Sequence, residues 1–393
     1  MSVDEIRCRK KLYSIILGVF VWMVPLIAIA VMIALDPTKR SVTPVYHAAS
    51  ASWQNGQDLY SDQGPWHYLP HFAVLFMPFH WLPLPAGEIA WRVVCTLWLA
   101  WGTWQLVRLD DRPNAGRVFV WASLLAMPAC LGAMRNGQAN TLFAAVTVQA
   151  AVCLIGGRWR WAAALLVTAV AIKPIGARML LLAPFGYRRV AVPLIVALLA
   201  LVAFPFLTAS PDYVISQMLG AKEHIVHVSQ ILDHRFANVA GILRSLGLDP
   251  PSTATNAMGL VAAIVTLGVW VLGSRRVVEP DRGLFLLSLA TVYLMLFNPM
   301  NESNSYVIVA PAMAVVALRL LDLDKRSPVG WAMVAIVLTI GLLADPLRGI
   351  APDLSLWYKP LVTMGFIAML VFVVTSRSRE GDSRRIKNPV IQA

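Results

Sequence analysis

HYLPHFAVLFMPFHWLPLP, residues 67–85, is as apolar as a membrane-crossing helix, yet Pro70, Pro78, Pro83 and Pro85 break it. Crossing would also carry His67, His71 and His80 into hydrocarbon. A proline inside a helix removes an amide donor and clashes with the carbonyl one turn back. Whether this stretch crosses decides which way every later segment of the chain faces.

The rest of the chain places it in a membrane. Of 393 residues, 58% are hydrophobic and 14% charged, against about 45–50% and about 25% in soluble domains. Leu12 to Leu35 holds no charged residue and is long enough for a hydrocarbon core of roughly 30 Å. It lacks a small-residue cleavage site, so it reads as a retained first helix. Further apolar runs lie at 87–107, 118–134, 139–155, 161–187, 190–208, 256–273, 283–298, 303–321, 328–344 and 359–375. The run 161–187 contains Lys173, Pro174, Gly176 and Arg178, which predicts two short helices meeting at KPIGAR. The expected fold is all-α, a polytopic transmembrane bundle of about twelve spans. Residues 1–375 form one integral membrane domain in this reading, followed by a basic tail, 376–393.

Charge then orients the chain. If residues 67–85 do not cross, segments 1–11, 108–117, 156–160, 188–189, 274–282, 319–327 and 376–393 share one side. Their basic excess equals the whole net charge of +12. Basic loops stay in the cytoplasm, so both termini are expected there, in a bacterial inner membrane. The same distribution explains the charge without a nucleic-acid partner. If residues 67–85 crossed, RLDDRPNAGR (108–117) and GGRWR (156–160) would move outside and the asymmetry would blur. The stretch therefore reads as a re-entrant or interfacial segment on the outer face, with a short kinked span as the alternative. Broken backbone at membrane depth is tolerated where it is buried in protein or lines a cavity.

The outer face then holds two long segments, 36–86 and 209–255. In TPVYHAASASWQNGQDLY (43–60), Val45, Ala48, Ala49 and Trp53 follow helical spacing and NGQD supplies a stop. Residues 209–255 again alternate with helical period. Polar residues interrupt apolar runs at RNGQAN (135–140), at Lys173 and at NPMNESNS (298–305). Such groups are expensive at membrane depth and usually face water or a partner. Together they predict a hydrophilic cavity open to the outside. Cys8, Cys95, Cys130 and Cys153 have no metal-ligand spacing and read as small apolar residues. With no Walker, HExxH or dinucleotide motif, neither a metal nor a cofactor is expected.

Five stretches in order, YHAASASWQNGQDLY, YLPHFAVLFMPFHWLP, RNGQANTLFAA, AIKPIGARMLLLAP and RFANVAGILRSLG, resemble glycosyltransferase family 87. These are bacterial polyprenol-phosphate-mannose-dependent mannosyltransferases of the C-type superfamily, and the resemblance covers roughly residues 12–375. It implies an integral membrane hexosyltransferase with an outward-facing cavity and a juxtamembrane helix. Its partners would be a polyprenyl-phosphate-linked sugar donor, a lipid or glycan acceptor and membrane lipids. Family members usually carry an Asp just before the Y..A segment, assigned as base toward the acceptor hydroxyl. Here Val42 and Thr43 stand in its place, and neither side chain takes a proton at neutral pH.

Sugar transfer from a lipid phosphate needs a carboxylate for the acceptor proton and donors or cations for the departing phosphate. Asp36, at the outer end of the first span, is the first choice for the base, ahead of Glu302 and then Asp58. Their bland readings are a helix-end carboxylate, a solvated loop residue and a turn residue. Lys173, Arg178, Arg135, His234 and Arg235 are the choices for the phosphate. Gln138 and Asn140 would bond sugar hydroxyls, or equally bond neighbouring helices. Trp53, Tyr60, Trp66 and Tyr68 fit a sugar-stacking role or an interfacial aromatic belt. Two other functions stay open. A transporter or flippase for a lipid-linked glycan should show inverted repeats, and no clear internal repeat is visible. A non-catalytic member that binds polyprenyl lipids would account for the missing Asp.

Overall fold

The computed structural model describes residues 3–60, 66–110, 114–229 and 236–387. In chain order the helices are α1 (Val3–Leu35), α2 (Thr43–Gln54), α3 (Pro70–His80), α4 (Leu84–Val107), α5 (Ala115–Asn136) and α6 (Ala139–Ile155). They continue with α7 (Trp159–Ile172), α8 (Ala177–Gly186), α9 (Ala191–Ala203), α10 (Pro211–Ser229), α11 (Val239–Ser245) and α12 (Ser252–Ser274). The last are α13 (Asp281–Phe297), α14 (Ala310–Leu323), α15 (Pro328–Leu342), α16 (Ala344–Ile350) and α17 (Pro352–Lys387). No strand occurs among the described residues.

Residues 67–85 fold as their prolines dictate. Pro70 occupies the first turn of α3 and Pro85 the first turn of α4, where a missing amide hydrogen costs nothing. Pro78 sits in the last turns of α3. At 11 residues, α3 rises about 16 Å, roughly half of a hydrocarbon core. It packs against α2 and α4 and buries Phe72, Ala73, Val74 and Phe76. It is too short to cross.

The run 161–187 divides as its sequence predicts. The 3-10 turn Pro174–Gly176 separates α7 from α8. Gly176 lies on the backbone of α7, where a Cβ would come within 2.7 Å of the Ala169 carbonyl carbon. Neither the 14 residues of α7 nor the 10 of α8 span a bilayer alone.

Burial sorts the helices into centre and rim. Every residue of α6 from Ala139 to Leu154 is buried, as is α13 from Gly283 to Leu296; helices apolar all round belong inside. Five segments are long and apolar enough to cross a membrane: Leu12–Leu35, Ala115–Asn136, Arg188–Leu207, Ser252–Ser274 and Pro352–Ser376. The exposed residues of α9 and α12 include Val192, Ile195, Leu199, Leu260 and Ile264, apolar side chains suited to lipid. The chain is a multi-pass membrane protein. Cys95, Cys130 and Cys153 are buried and free.

Candidate functional site

Three breaks in the helical pattern meet at one end of the bundle. They are the α5–α6 turn, the α7–α8 turn and the α13–α14 loop. Between them and α2 lies a cavity of about 310 Å³, whose wall includes Tyr46, Tyr68, Gln138, Lys173 and Glu302.

Each wall residue is placed by local chain geometry. Gly137 ends α5 in the left-handed region, at φ 65°. The Gly137 and Gln138 amides then donate to the Met134 and Ala133 carbonyls, which turns Gln138 inward just before α6. A Cβ on Gly137 would also lie 2.7 Å from the Arg92 guanidinium. Gln138 Nε2 donates to Glu302 Oε2 at 2.8 Å. Asn140 Nδ2 donates to Gln138 Oε1 and to Ser305 Oγ, both at 3.2 Å. Asn140 is 2% exposed, and its Oδ1 has no hydrogen-bond partner among the described residues. The loop bearing Glu302 is clamped from outside. Asn301 Nδ2 donates to the Ala237 and Met295 carbonyls, and Lys359 Nζ donates to the Ser303 carbonyl at 3.0 Å.

Cations and aromatics complete the wall. Lys173, at the end of α7, lies 5.5 Å from the Tyr68 ring centre and close enough to Glu302 to feel its charge. Tyr46 and Tyr68 share a hydroxyl–hydroxyl bond of 2.8 Å. Tyr46 is boxed edge-on by Phe72 and Phe76, at 5.0 and 5.4 Å. His67 also lines the cavity, and its Nδ1 pairs with His224 Nε2 of α10 at 2.9 Å. Burial, with His224 and Lys173 nearby, holds the His67 imidazole below its usual 6.5, against the pull of Glu302.

The position of the missing Asp is resolved in the same wall. Val42 lines the cavity with its isopropyl group. Thr43 turns away and donates to Glu88 Oε1. Glu88 is paired with Arg92 one turn along α4, with exposures of 0% and 2%. Ser41 Oγ donates to Glu88 Oε2 at 2.9 Å and accepts from Arg92 Nη2 at 3.0 Å. Arg92 also donates to the Met134 and Arg135 carbonyls. One buried ion pair therefore ties the start of α2 to the end of α5. The only sequence signal for it is EIAWR, an acid and a base four residues apart in an otherwise apolar helix.

The predicted site residues divide. Glu302, Gln138, Asn140 and Lys173 come together in the cavity, as does Tyr68. Asp36 is exposed past the end of α1, where Oδ1 accepts from the Thr38 and Lys39 amides. Asp58 is likewise exposed and accepts from the Tyr60 amide at 3.0 Å. Both carboxylates make turns, whereas Glu302 lines the cavity. Arg178 lies on a second cavity, below, and Arg135 lines neither. Trp53 and Trp66 are buried at 2% and 4% exposure. Tyr60 donates to the Tyr68 carbonyl at 2.7 Å, supporting the wall from behind. His234 and Arg235 lie outside the described residues. No cluster of metal-ligating side chains occurs among the described residues.

Comparison with known proteins points to one family. The model of glycosyltransferase family 87 matches residues 66–299, which span α3 to the start of the Glu302 loop. The chain is 24% identical over 375 residues to a protein of Mycobacterium tuberculosis (strain ATCC 25618 / H37Rv). That protein is a polyprenol-phosphate-mannose-dependent alpha-(1-2)-phosphatidylinositol mannoside mannosyltransferase, and the match covers 84% of this chain and 83% of the relative.

Proposed function

Because the chain belongs to glycosyltransferase family 87, we propose that it transfers a hexose such as mannose from a polyprenyl-phosphate donor to a lipid or glycan acceptor. The reaction takes place on the outer face of a bacterial inner membrane, with both termini in the cytoplasm. The observation that supports this reading best is Glu302, a solvent-exposed carboxylate that lines the cavity where Val42 offers none.

The acceptor hydroxyl attacks the anomeric carbon of the donor and passes its proton to Glu302. The bond from that carbon to the phosphate oxygen breaks, and the polyprenyl phosphate leaves with the electron pair. Gln138 fixes one carboxylate oxygen, so the other faces the acceptor. Lys173 offsets charge on the departing phosphate as a point charge. The unpartnered Asn140 Oδ1 accepts from a sugar hydroxyl.

The test is a purified protein given radiolabelled mannosyl polyprenyl phosphate and an extract of membrane lipids and glycans. A labelled product supports transfer. Donor binding without any product replaces the enzyme with a non-catalytic lipid-binding member. Passage of intact donor across a vesicle membrane replaces it with a transporter.

A further inference from the structure

A second compartment adjoins the first. Its cavity of about 170 Å³ is lined by Arg178 of α8, Arg244 of α11, Asn238, Ser252, Thr255 and Tyr293. The Asn298–Pro299 backbone divides it from the Glu302 cavity, pinned by Asn238 Nδ2 at 2.8 and 3.1 Å from the two carbonyls. From Arg178 and Tyr293 an apolar groove of about 190 Å³ runs between α8 and α12, over Leu181, Phe185, Ala263 and Ile264. Leu181, Phe185 and Ile264 are 64%, 58% and 63% exposed, so the groove opens on the lipid-facing side.

Among the described residues neither arginine has a carboxylate partner. Arg178 rests on the Tyr293 ring at 5.8 Å, and Arg244 Nε is buried without a hydrogen-bond partner. Two like charges converging on one cavity with no carboxylate partner among the described residues repel, and the repulsion falls when an anion sits between them. A groove for a long chain leads away from that point. The occupant is therefore a lipid whose head is an anion and little else.

Charge complementarity selects among such lipids. A sugar-loaded carrier is a phosphodiester with one charge. The spent carrier is a phosphate monoester, with a charge of about −1.5 to −2 at pH 7 and three acceptor oxygens. We propose that this compartment holds the spent polyprenyl phosphate after its sugar has left, with its phosphate between Arg178 and Arg244 and its chain in the α8–α12 groove. The proposal rests on the transferase reading, and it gives the leaving group a place apart from the cavity where the acceptor must next bind.

The test reads binding without turnover. Undecaprenyl phosphate, mannosyl undecaprenyl phosphate and dioleoyl phosphatidylglycerol are titrated into the full-length protein in nanodiscs and read by native mass spectrometry. The monoester should bind most tightly, and weaken from about pH 7 to pH 5 as its second proton, with pKa near 6, returns. Arg178→Gln and Arg244→Gln should each weaken it about 10-fold or more, the loss of one charge-assisted contact. Ala263→Trp, which fills the groove and keeps both arginines, should weaken it too, and exposed Arg188→Gln should not. Equal binding of phosphatidylglycerol overturns the proposal, as does binding insensitive to the two arginines or sensitive to Lys173→Met alone. Should Glu302→Gln abolish transfer, monoester binding should remain. Should the wild type transfer nothing yet bind the monoester at the arginines, the site stands and the transferase reading falls.

Discussion

At the scale of single residues, two carboxylates have opposite fates. Glu302 faces a cavity and is held by one amide donor; Glu88 is sealed inside and fully paired. With Glu302 as the proposed base, Glu302→Gln keeps the shape and removes the proton acceptor, so turnover should fall by about 10²–10⁴-fold with donor binding little changed. Asp36→Asn and Asp58→Asn, both at exposed turns, should retain near-normal turnover in the same assay. Glu88→Gln leaves Arg92 charged and uncompensated in the interior, and should cost roughly 3–5 kcal/mol in unfolding measurements. Position at the outer end of the first span singles out Asp36 in the sequence, but the carboxylate that lines the cavity comes from a loop between α13 and α14, a contact between distant segments that sequence position does not reveal. RNGQAN, Lys173 and NPMNESNS were legible because polar groups in apolar runs need a reason. Glu88 and Arg92 were not, because a self-neutralising pair leaves no net charge to notice.

At the scale of elements, the cavity depends on short pieces held at fixed angles. The prolines of residues 67–85, the split at KPIGAR and the helix of residues 43–54 could all be read from the sequence, since prolines, glycines and periodicity act locally. Their convergence could not, because it depends on contacts between distant segments. Gly137→Ala forces a left-handed backbone on alanine and presses on Arg92. It should cost about 1–3 kcal/mol and lower donor affinity by displacing Gln138, readable as thermal stability and dissociation constant together. The helix α10 docks over the cavity through the His224–His67 bond and the Gln217 side chain, which accepts from the Leu59 amide at 2.9 Å. Burial, and then His227, lowers the His224 imidazole from 6.5 as well. The undocked chain therefore takes up protons that the docked pair resists. The docking is at full strength above about pH 6.5 and weakens as pH falls toward the lowered values. The protection of amides in residues 211–229 against hydrogen exchange, taken relative to the intrinsic rate at each pH, should fall between about pH 6.5 and pH 5.5, and His224→Gln should flatten that dependence.

At the scale of the whole molecule, the wall of the site is drawn from segments that are far apart in the chain. The bundle itself was legible from composition and apolar runs, since a bilayer admits few solutions for so apolar a chain. Which side each end faces rests on charge, and reporters decide it. A fusion after Asn114 should report the cytoplasm and one after Asn55 the outside; agreement between the two would mean that residues 67–85 cross after all. The buried Glu88–Arg92 pair carries one more implication, for biogenesis. Arg92 finds its last acceptors on Met134 and Arg135, at the end of the next helix to be synthesised. Until α5 is inserted, α4 carries a guanidinium with unfilled donors near the bilayer surface, and the start of α2 is anchored at one end only. An expected outcome is that the first five helices become stable together, once the Asn136–Gly137 turn arrives. A nascent chain halted before that turn should be a ready substrate for membrane quality-control proteases, and one halted just after α6 should resist them.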